Sequence, residues 1–431
     1  MSKTQLAKIE SILATALSRE VVDEVGRETG QSKRLRVVTP HRLFLTLIGA
    51  LGGGKIESIA DMLREFNRRF GCETAYKAFY NRLARSSFPE FMCEMLCRLL
   101  GELSLQTLRP EPGSPLSEFK DIVIQDGSSF ALKDALKDLF PGRFTKHGAA
   151  AIELHATYSG FEDNVISISL APDTDPERRF LPEPEELAGR LLLADRGYPS
   201  LDYFERLGTA GASFVVRLLR TYDPSVTACF AKGRLRRLPK PVRMSRFLAQ
   251  NQNRVLDLDV EFKRGEQTLR LRIVVLPGKD KWMTRLATNL DRERFPLDLV
   301  GKLYRLRWQI ELCFKEWKSY GNLHRFNTAN EHIAEGLIWA SICAAVLKRF
   351  LAHATQLISG GVAISTRRVA MCARLVIDDI FTALATDGRR LRAAVATALD
   401  FLLANARRAH PDRDRKSGRL QAGLEPYPAR R

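Results

Sequence analysis

The alternation of apolar and polar positions divides the chain into stretches of different character. Residues 1–115 read as helical. Met1 to Glu20 is amphipathic, and Ile56, Ile59, Leu63 and Phe66 recur at helical spacing. After Gly71 a second helix is predicted over Glu73 to Arg85, with Ala75, Phe79 and Leu83 inward. Two short helices around a glycine turn resemble a helix-turn-helix, with Arg64, Arg68, Arg69, Lys77, Arg82 and Arg85 available to meet DNA. A solvated helical hairpin fits the same pattern. Pro110–Pro115, with its prolines and glycine, reads as a linker.

Beyond the linker the period shortens. Asp121–Gln125 is a short apolar strand ending at Asp126. Ala149–Tyr158 and Val165–Leu170 are strands joined by a turn at Gly160–Asn164. Residues 172–186 read as a loop. Leu191–Ala194 is a further strand, running into Asp195-Arg196-Gly197-Tyr198, and residues 199–209 are helical. Ser213–Leu219 is another strand, residues 220–253 are basic and irregular, and Val255–Phe262 with Thr268–Leu276 form a hairpin around Arg264-Gly265-Glu266. Leu286–Asn289 is a short strand, followed by one long helix over Leu297 to Ser319. Ile333 to Phe350 is apolar almost all round and predicts a buried helix. Residues 361–405 are helical, and the tail from Arg407 is basic, rich in proline and glycine, and reads as disordered.

Composition narrows the class. A chain of 431 residues has length for two to three domains, and 45% hydrophobic with 27% charged residues is a globular balance. Sixty-eight Lys plus Arg against fifty Asp plus Glu gives +18. Such an excess points to a polyanion, nucleic acid first, although membrane-surface and ribosomal proteins share it. The longest apolar runs, Leu43–Leu51 and Gly336–Leu347, fall short of the about 20 residues that span a bilayer, so no membrane partner is expected. Met1 to Glu20 has no signal-peptide core. Seven cysteines without CxxC spacing read as reduced residues of a cytosolic protein.

Candidate chemistry begins with carboxylates. Asp126 and Asp195 each close an apolar strand, and in α/β folds the strand ends are where ligands bind. A carboxylate kept ionised there needs a partner, such as a divalent metal. An aspartate that merely starts a turn is the alternative reading. The helix over 304–318 adds a second constellation. Tyr304, Arg307, Glu311 and Lys318 lie at offsets of 0, 3, 7 and 14. That places them within a stripe about 60° wide. Leu303, Leu306, Ile310, Phe314 and Trp317 form an apolar stripe roughly 100° away. An exposed Arg307–Glu311 pair would be ordinary. The flanking aromatics argue instead for a largely buried helix, whose ladder wants a phosphate and a metal.

The pattern Y-x2-R-x3-E-x6-K, met in full by Tyr304, Arg307, Glu311 and Lys318 inside YRLRWQIELCFKEWKS, resembles the signature of DDE transposases of the insertion-sequence-four (IS-four) type. The contexts IQDGSSF and LLADRGY around Asp126 and Asp195 are similar to that family's two catalytic aspartates, and the resemblance covers about residues 120–350. It implies an α/β fold with a ribonuclease-H-like catalytic core, a β-rich insertion, and helical N- and C-terminal regions. The expected organisation is a helical DNA-binding domain at 1–115, core at 116–212 and 299–350, insertion at 213–298, and a helical C-terminal region with a basic tail at 351–431. With Glu311 standing 116 positions after Asp195, an inserted unit is required in any case.

The resemblance implies that Asp126, Asp195 and Glu311 are catalytic and hold Mg²⁺ or Mn²⁺, as a pair of ions, for in-line phosphoryl transfer. Arg307, Tyr304 and Lys318 would contact DNA. Arg196 is a further candidate DNA contact, with a local salt link as the alternative, and Trp282 a candidate for stacking on a flipped base, with packing as the alternative. Lys146 and His147 could line the DNA channel, and Lys232, Arg234, Arg236, Arg237, Lys240 and Arg243 form a candidate DNA-backbone surface. The glutamates 177, 183, 185 and 186 read as solvated. The partners implied are double-stranded DNA, as terminal inverted repeats and target, and a second copy in a synaptic homodimer. The expected place is the bacterial cytoplasm, at the nucleoid. Competing readings are an inactive or domesticated DNA-binding relative, and a metal-dependent nuclease on the same fold.

Overall fold

The computed structural model describes residues 3–53, 58–105, 107–143, 149–198, 200–231, 233–277, 283–321, 328–386, 388–410 and 422–426. Trp282, Lys146, His147 and Lys232 lie outside the described residues.

Helices α1 (Lys3–Ala16), α2 (Arg19–Glu28), α3 (Pro40–Gly53), α4 (Ile59–Phe70), α5 (Tyr76–Leu83) and α6 (Ser87–Glu102) come first. The two-helix unit anticipated after residue 56 is present. Ser58 and Asp61 form a capping box at the start of α4, and Gly71 ends it at φ 57°, a left-handed conformation that glycine adopts without a side-chain clash. After β1 (Leu108–Pro110) the chain alternates: β2 (Ile122–Ala131), β3 (Ala151–Ser159), β4 (Asn164–Pro172), β5 (Leu191–Ala194), α7 (Leu201–Thr209) and β6 (Ser213–Arg217). Then follow β7 (Ser225–Ala231), β8 (Arg234–Arg243), α8 (Met244–Gln250), β9 (Leu256–Arg264), β10 (Gln267–Pro277) and β11 (Met283–Thr288). The chain continues as α9 (Leu297–Arg305), α10 (Trp308–Tyr320), α11 (Glu331–Ile358), α12 (Thr366–Cys372), α13 (Ile377–Ala385), α14 (Leu391–Asn405) and β12 (Leu424–Pro426).

One mixed sheet of ten strands runs through the molecule in the order β4-β3-β2-β5-β6-β11-β10-β9-β7-β8. Its centre is parallel, β2 beside β5 and β5 beside β6, and every other pair is antiparallel. β5 is apolar at every position because both of its faces are covered. Leu191 and Leu193 enter the large core shared with the helices, whereas Leu192 and Ala194 enter a second core on the opposite face. β2 divides in the same way, Ile122 and Ile124 to the first core and Val123 to the second. Side chains alternate along a strand, so Asp126 and Asp195 both project on the face of the first core. That face is covered by α9, α10 and α11, through Leu303, Ile310, Phe314, Trp317 and Leu337 among others.

Four sequence expectations are corrected. The strand at Asp126 does not end there. Its parallel partner β5 stops at the Gln125–Ala194 pair, but the antiparallel ladder with β3 continues to Ala131–Ala151. Asp126 therefore sits where the strand loses one neighbour and keeps the other. The long helix expected over Leu297 to Ser319 is two helices. Between α9 and α10, Leu306, Arg307 and Gln309 donate to carbonyls three residues back, a tighter winding that turns Arg307 out of a regular α-helix. The basic stretch 220–253 holds the edge hairpin β7–β8 and helix α8. β8, with Arg at 234, 236, 237 and 243 and Pro at 239 and 241, is almost wholly exposed and so lacks an apolar alternation to read. The tail from Arg407 is not structureless throughout: Leu424–Pro426 pairs with β1.

α11 is long and apolar enough to cross a bilayer, yet its apolar window is entirely buried inside this protein. It packs against α6 and α3, with Gly336 admitting the Phe88 ring: a Cβ there would lie 2.3 Å from Phe88 Cδ1.

Candidate active site

The carboxylates are brought together by cations and hydroxyls. Arg307, at the tight turn before α10, donates Nη1 to Asp126 Oδ2 at 2.6 Å and Nη2 to Glu311 Oε1 at 2.5 Å. Its Nε is buried and has no hydrogen-bond partner. Tyr304, at the end of α9, donates its hydroxyl to Asp195 Oδ1 at 3.0 Å. Thus the tyrosine, arginine and glutamate of the sequence ladder converge on both aspartates. The broken helix serves this arrangement, because Tyr304 reaches β5 while Arg307 reaches β2. Lys318, on the next turns of α10, donates Nζ to the Ser129 carbonyl of β2 at 2.5 Å. It therefore joins the same wall through the backbone.

Arg196 is exposed, and the guanidinium that approaches Asp195 belongs to Arg217 of β6, 3.5 Å from Oδ1. Sequence reasoning passed over Arg217 because it lies inside an apolar strand pattern. The signal available was its position: β6 runs parallel to β5, so its last residue lies beside Asp195.

Electrostatics separate the two aspartates. Burial pushes the Asp126 carboxyl up to about 7 even with Arg307 beside it. Burial also acts on Asp195, but Arg307, the Arg196 backbone amide, Tyr304 and Arg217 outweigh it and hold that carboxyl below its ordinary value. Tyr304 is pushed up, by burial first and then by the Asp195 charge, and stays a hydroxyl donor. Burial lowers Lys318, and the charge of Glu153 partly offsets this.

A second polar cluster lies on the opposite face of the sheet. β3 sends Ile152, Leu154, Ala156 and Tyr158 into the first core, so Glu153 and His155 point the other way. Both are buried, with His155 stacked on Phe180 at 3.8 Å between ring centroids. Glu153 Oε2, both His155 ring nitrogens and the Tyr198 hydroxyl are buried without a hydrogen-bond partner. Gly127 makes room for this cluster, since a Cβ there would lie 2.6 Å from Glu153 Oε1. Burial, then the neighbouring Glu177 charge, pushes Glu153 up to about 7, while burial lowers His155 to about 4. The visible signal was the polar alternation of Glu153, His155 and Thr157, which reads equally as a solvated face. Glu177 presses on this region too, as a Cβ at Gly197 would meet its Oε2.

Asp126, Asp195 and Glu311 offer only hard oxygen donors, the set that a magnesium-type ion takes. Their chemistry fits such an ion: cations and donors already crowd around all three, and burial leaves Asp126 without full compensation. Among the described residues no three carboxylate, histidine or cysteine side chains stand close enough to share one ion as they are. Arg307 spans the gap between Asp126 and Glu311.

Asp126 and Glu311 joined by Arg307, with Asp195 beside them held by Tyr304 and Arg217, form an all-carboxylate centre on the covered face of a mixed sheet, the donor set that metal-assisted phosphoryl transfer uses. The protein family described as "Transposase DDE domain" matches residues 117–347, and the chain belongs to it. The transposase for insertion sequence element IS231C of Bacillus thuringiensis subsp. berliner is 20% identical over 374 residues, 77% of this chain and 78% of that protein. The transposase for insertion sequence element IS1151 of Clostridium perfringens is 22% identical over 302 residues, 61% of this chain and 63% of that protein. The cryo-EM structure of the piggyBac transposase synaptic complex with hairpin DNA aligns over 91% of this chain and 84% of that one, at TM-score 0.46 and 10% identity.

Proposed function

We propose that Asp126, Asp195 and Glu311 are the catalytic carboxylates of an insertion-sequence transposase of the IS-four type, built on a ribonuclease-H-like core. That the chain is a DNA transposase, an enzyme that cuts and joins DNA, follows from its family and its relatives. The residue assignment rests above all on one observation: a single guanidinium, Arg307, joins Asp126 to Glu311 across 185 residues of chain.

In this reading the three carboxylates hold Mg²⁺ or Mn²⁺, as a pair of ions. When bound, these ions activate the attacking hydroxyl and stabilise the leaving 3′-oxygen. The remaining work belongs to the chain's own side chains. Arg307, now bonded to Asp126 and Glu311, would fork onto a phosphate oxygen of the bound strand. Tyr304 fixes the Asp195 carboxylate and keeps its proton. Lys318 and Arg217 add positive charge on the two flanks of the centre, where a DNA strand crosses. Arg196, exposed next to Asp195, is free to meet a phosphate. Residues 1–115 would hold the element ends, and a second copy would complete the synaptic pair. Trp282 stays in this reading as the stacking residue expected from the sequence.

A plasmid carrying the DNA that flanks this gene tests the activity. Matching breaks at both flanks with Mg²⁺, absent in EDTA, are expected, and a pre-cut 3′-hydroxyl end should then join to target DNA. Hydrolysis without joining would indicate a nuclease. Binding without breaks in either metal would indicate an inactive relative.

A further inference from the structure

The arginines of α4 are committed within the protein. Arg64 pairs with Asp61. Arg68 reaches Glu65 at 2.8 Å and Asp378 at 3.1 Å, and Arg69 reaches Glu65 at 2.7 Å and also Asp378. The basic face of the helix pair that the sequence offered to DNA is therefore largely neutralised on its α4 side.

Uncompensated charge gathers instead where the connection between α2 and α3 meets the end of α5. Lys33, Arg34 and Arg36 are exposed on that connection. The connection is held in place. The buried Gln31 side chain donates Nε2 to the Arg82 carbonyl at 2.9 Å and accepts from the Ser87 hydroxyl at 2.9 Å. In return the Gln31 carbonyl accepts from Arg82 Nη1 at 3.3 Å and Arg85 Nη1 at 3.0 Å. Ser32 adds its own backbone donation to Gly26 at 2.8 Å and a hydroxyl donation to the Arg34 carbonyl at 2.9 Å. Arg82 and Arg85 are thus fixed against a backbone segment that carries three more exposed cations, and among the described residues none of the five forms an ion pair with a carboxylate, unlike the α4 arginines. Their crowding is felt: burial lowers the Arg82 pKa first, and the charges of Arg85 and Arg36 lower it further. A folded protein that holds like charges together by half-buried hydrogen bonds has a repulsion that a polyanion relieves.

We propose that Lys33, Arg34, Arg36, Arg82 and Arg85 form a duplex-DNA backbone grip that shares no residue with the carboxylate centre. The choice of DNA as the polyanion rests on the transposase reading. These cations take phosphate oxygens while the Gln31 bracket holds Arg82 and Arg85 against the segment that bears the other three, so the contact is indifferent to sequence and sensitive to salt.

The test is the salt dependence of binding to a short random-sequence duplex, measured in EDTA so that no strand is cut. The variant Lys33→Gln/Arg34→Gln/Arg36→Gln leaves the Gln31 bracket whole. Its slope of log affinity against log salt should be shallower than wild type by about 2–3, at about 0.9 per lost phosphate contact. Arg68→Gln, which removes a committed α4 cation, should leave the slope within about 0.5 of wild type. An unchanged slope in the triple variant, with its thermal melt intact, overturns the grip. So does an equal change from Arg68→Gln. Failure of the catalytic reading would show separately, as flank breaks that survive loss of a site carboxylate.

Discussion

At the residue scale, the side chains with the most to say are the buried ones whose charge is only partly matched. Glu153 is the clearest, with Arg143 no closer than 3.8 Å to its Oε2. Its folded carboxyl is raised from 4.5 to about 7, so the folded state holds a proton that the unfolded chain has already released. The stability tied to that proton is whole below about 4.5 and is lost as pH rises through about 7. Glu153→Gln should accordingly melt like wild type near pH 4.5 and be more stable near pH 8, by about 1–3 kcal/mol. Melting temperatures of both proteins across that range decide it. A gap that does not change with pH would mean that Glu153 is better compensated than its orphaned Oε2 indicates.

At the element scale, α10 depends on what lies beneath it. The fully buried Arg349 of α11 reaches Glu316 of α10 at 3.1 Å, the Asp163 carboxylate at 2.7 Å and the Tyr158 hydroxyl at 3.0 Å. Thr366 of α12 donates to the other Glu316 oxygen at 2.5 Å, and Lys348 of α11 donates to the Tyr320 carbonyl at 2.9 Å. Asp163 lies in the β3–β4 turn at φ 55°, so one buried cation ties the helix bearing Glu311 to the hairpin beside the Asp126 strand. Removing one member of such a network strands the others without water. Arg349→Met should therefore lower unfolding free energy by about 3–5 kcal/mol, seen as an earlier urea midpoint. A midpoint unchanged from wild type would show that α10 is set by its apolar stripe alone.

The same elements show what the sequence could and could not carry. β5 was legible to the residue, because a strand buried on both faces is apolar without a break. The Tyr304–Arg307–Glu311–Lys318 ladder was legible as spacing, although the helix under it is broken. The break at Arg307 was invisible because it uses ordinary residues and only moves the accepting carbonyl from four residues back to three. β8 was hidden because a strand at a sheet edge need bury nothing. The Glu153–His155 pair was hidden for the opposite reason, as buried polar residues copy the pattern of a wet face. Which arginines are free and which are committed, as at Arg68 against Arg34, depends on distant partners such as Asp378 and cannot be read locally.

At the scale of the whole molecule, the ten-stranded sheet does two jobs. Its parallel centre brings Asp126 and Asp195 to one face, and its antiparallel extension from β11 to β8 fills the long interval before the chain returns with Glu311. The helices that follow seal that face, and the first core is one cluster that draws on residues from Ile9 near the start to Leu424 near the end. The carboxylate centre is thus assembled from three distant stretches and exists only in the completed fold. The most direct measurement is metal-dependent cleavage by Asp126→Ala, Asp195→Ala and Glu311→Ala, each checked for DNA binding in EDTA. One shared centre predicts that all three lose at least about a thousandfold in cleavage while binding is kept. Any one of them cleaving within about tenfold of wild type would contradict it.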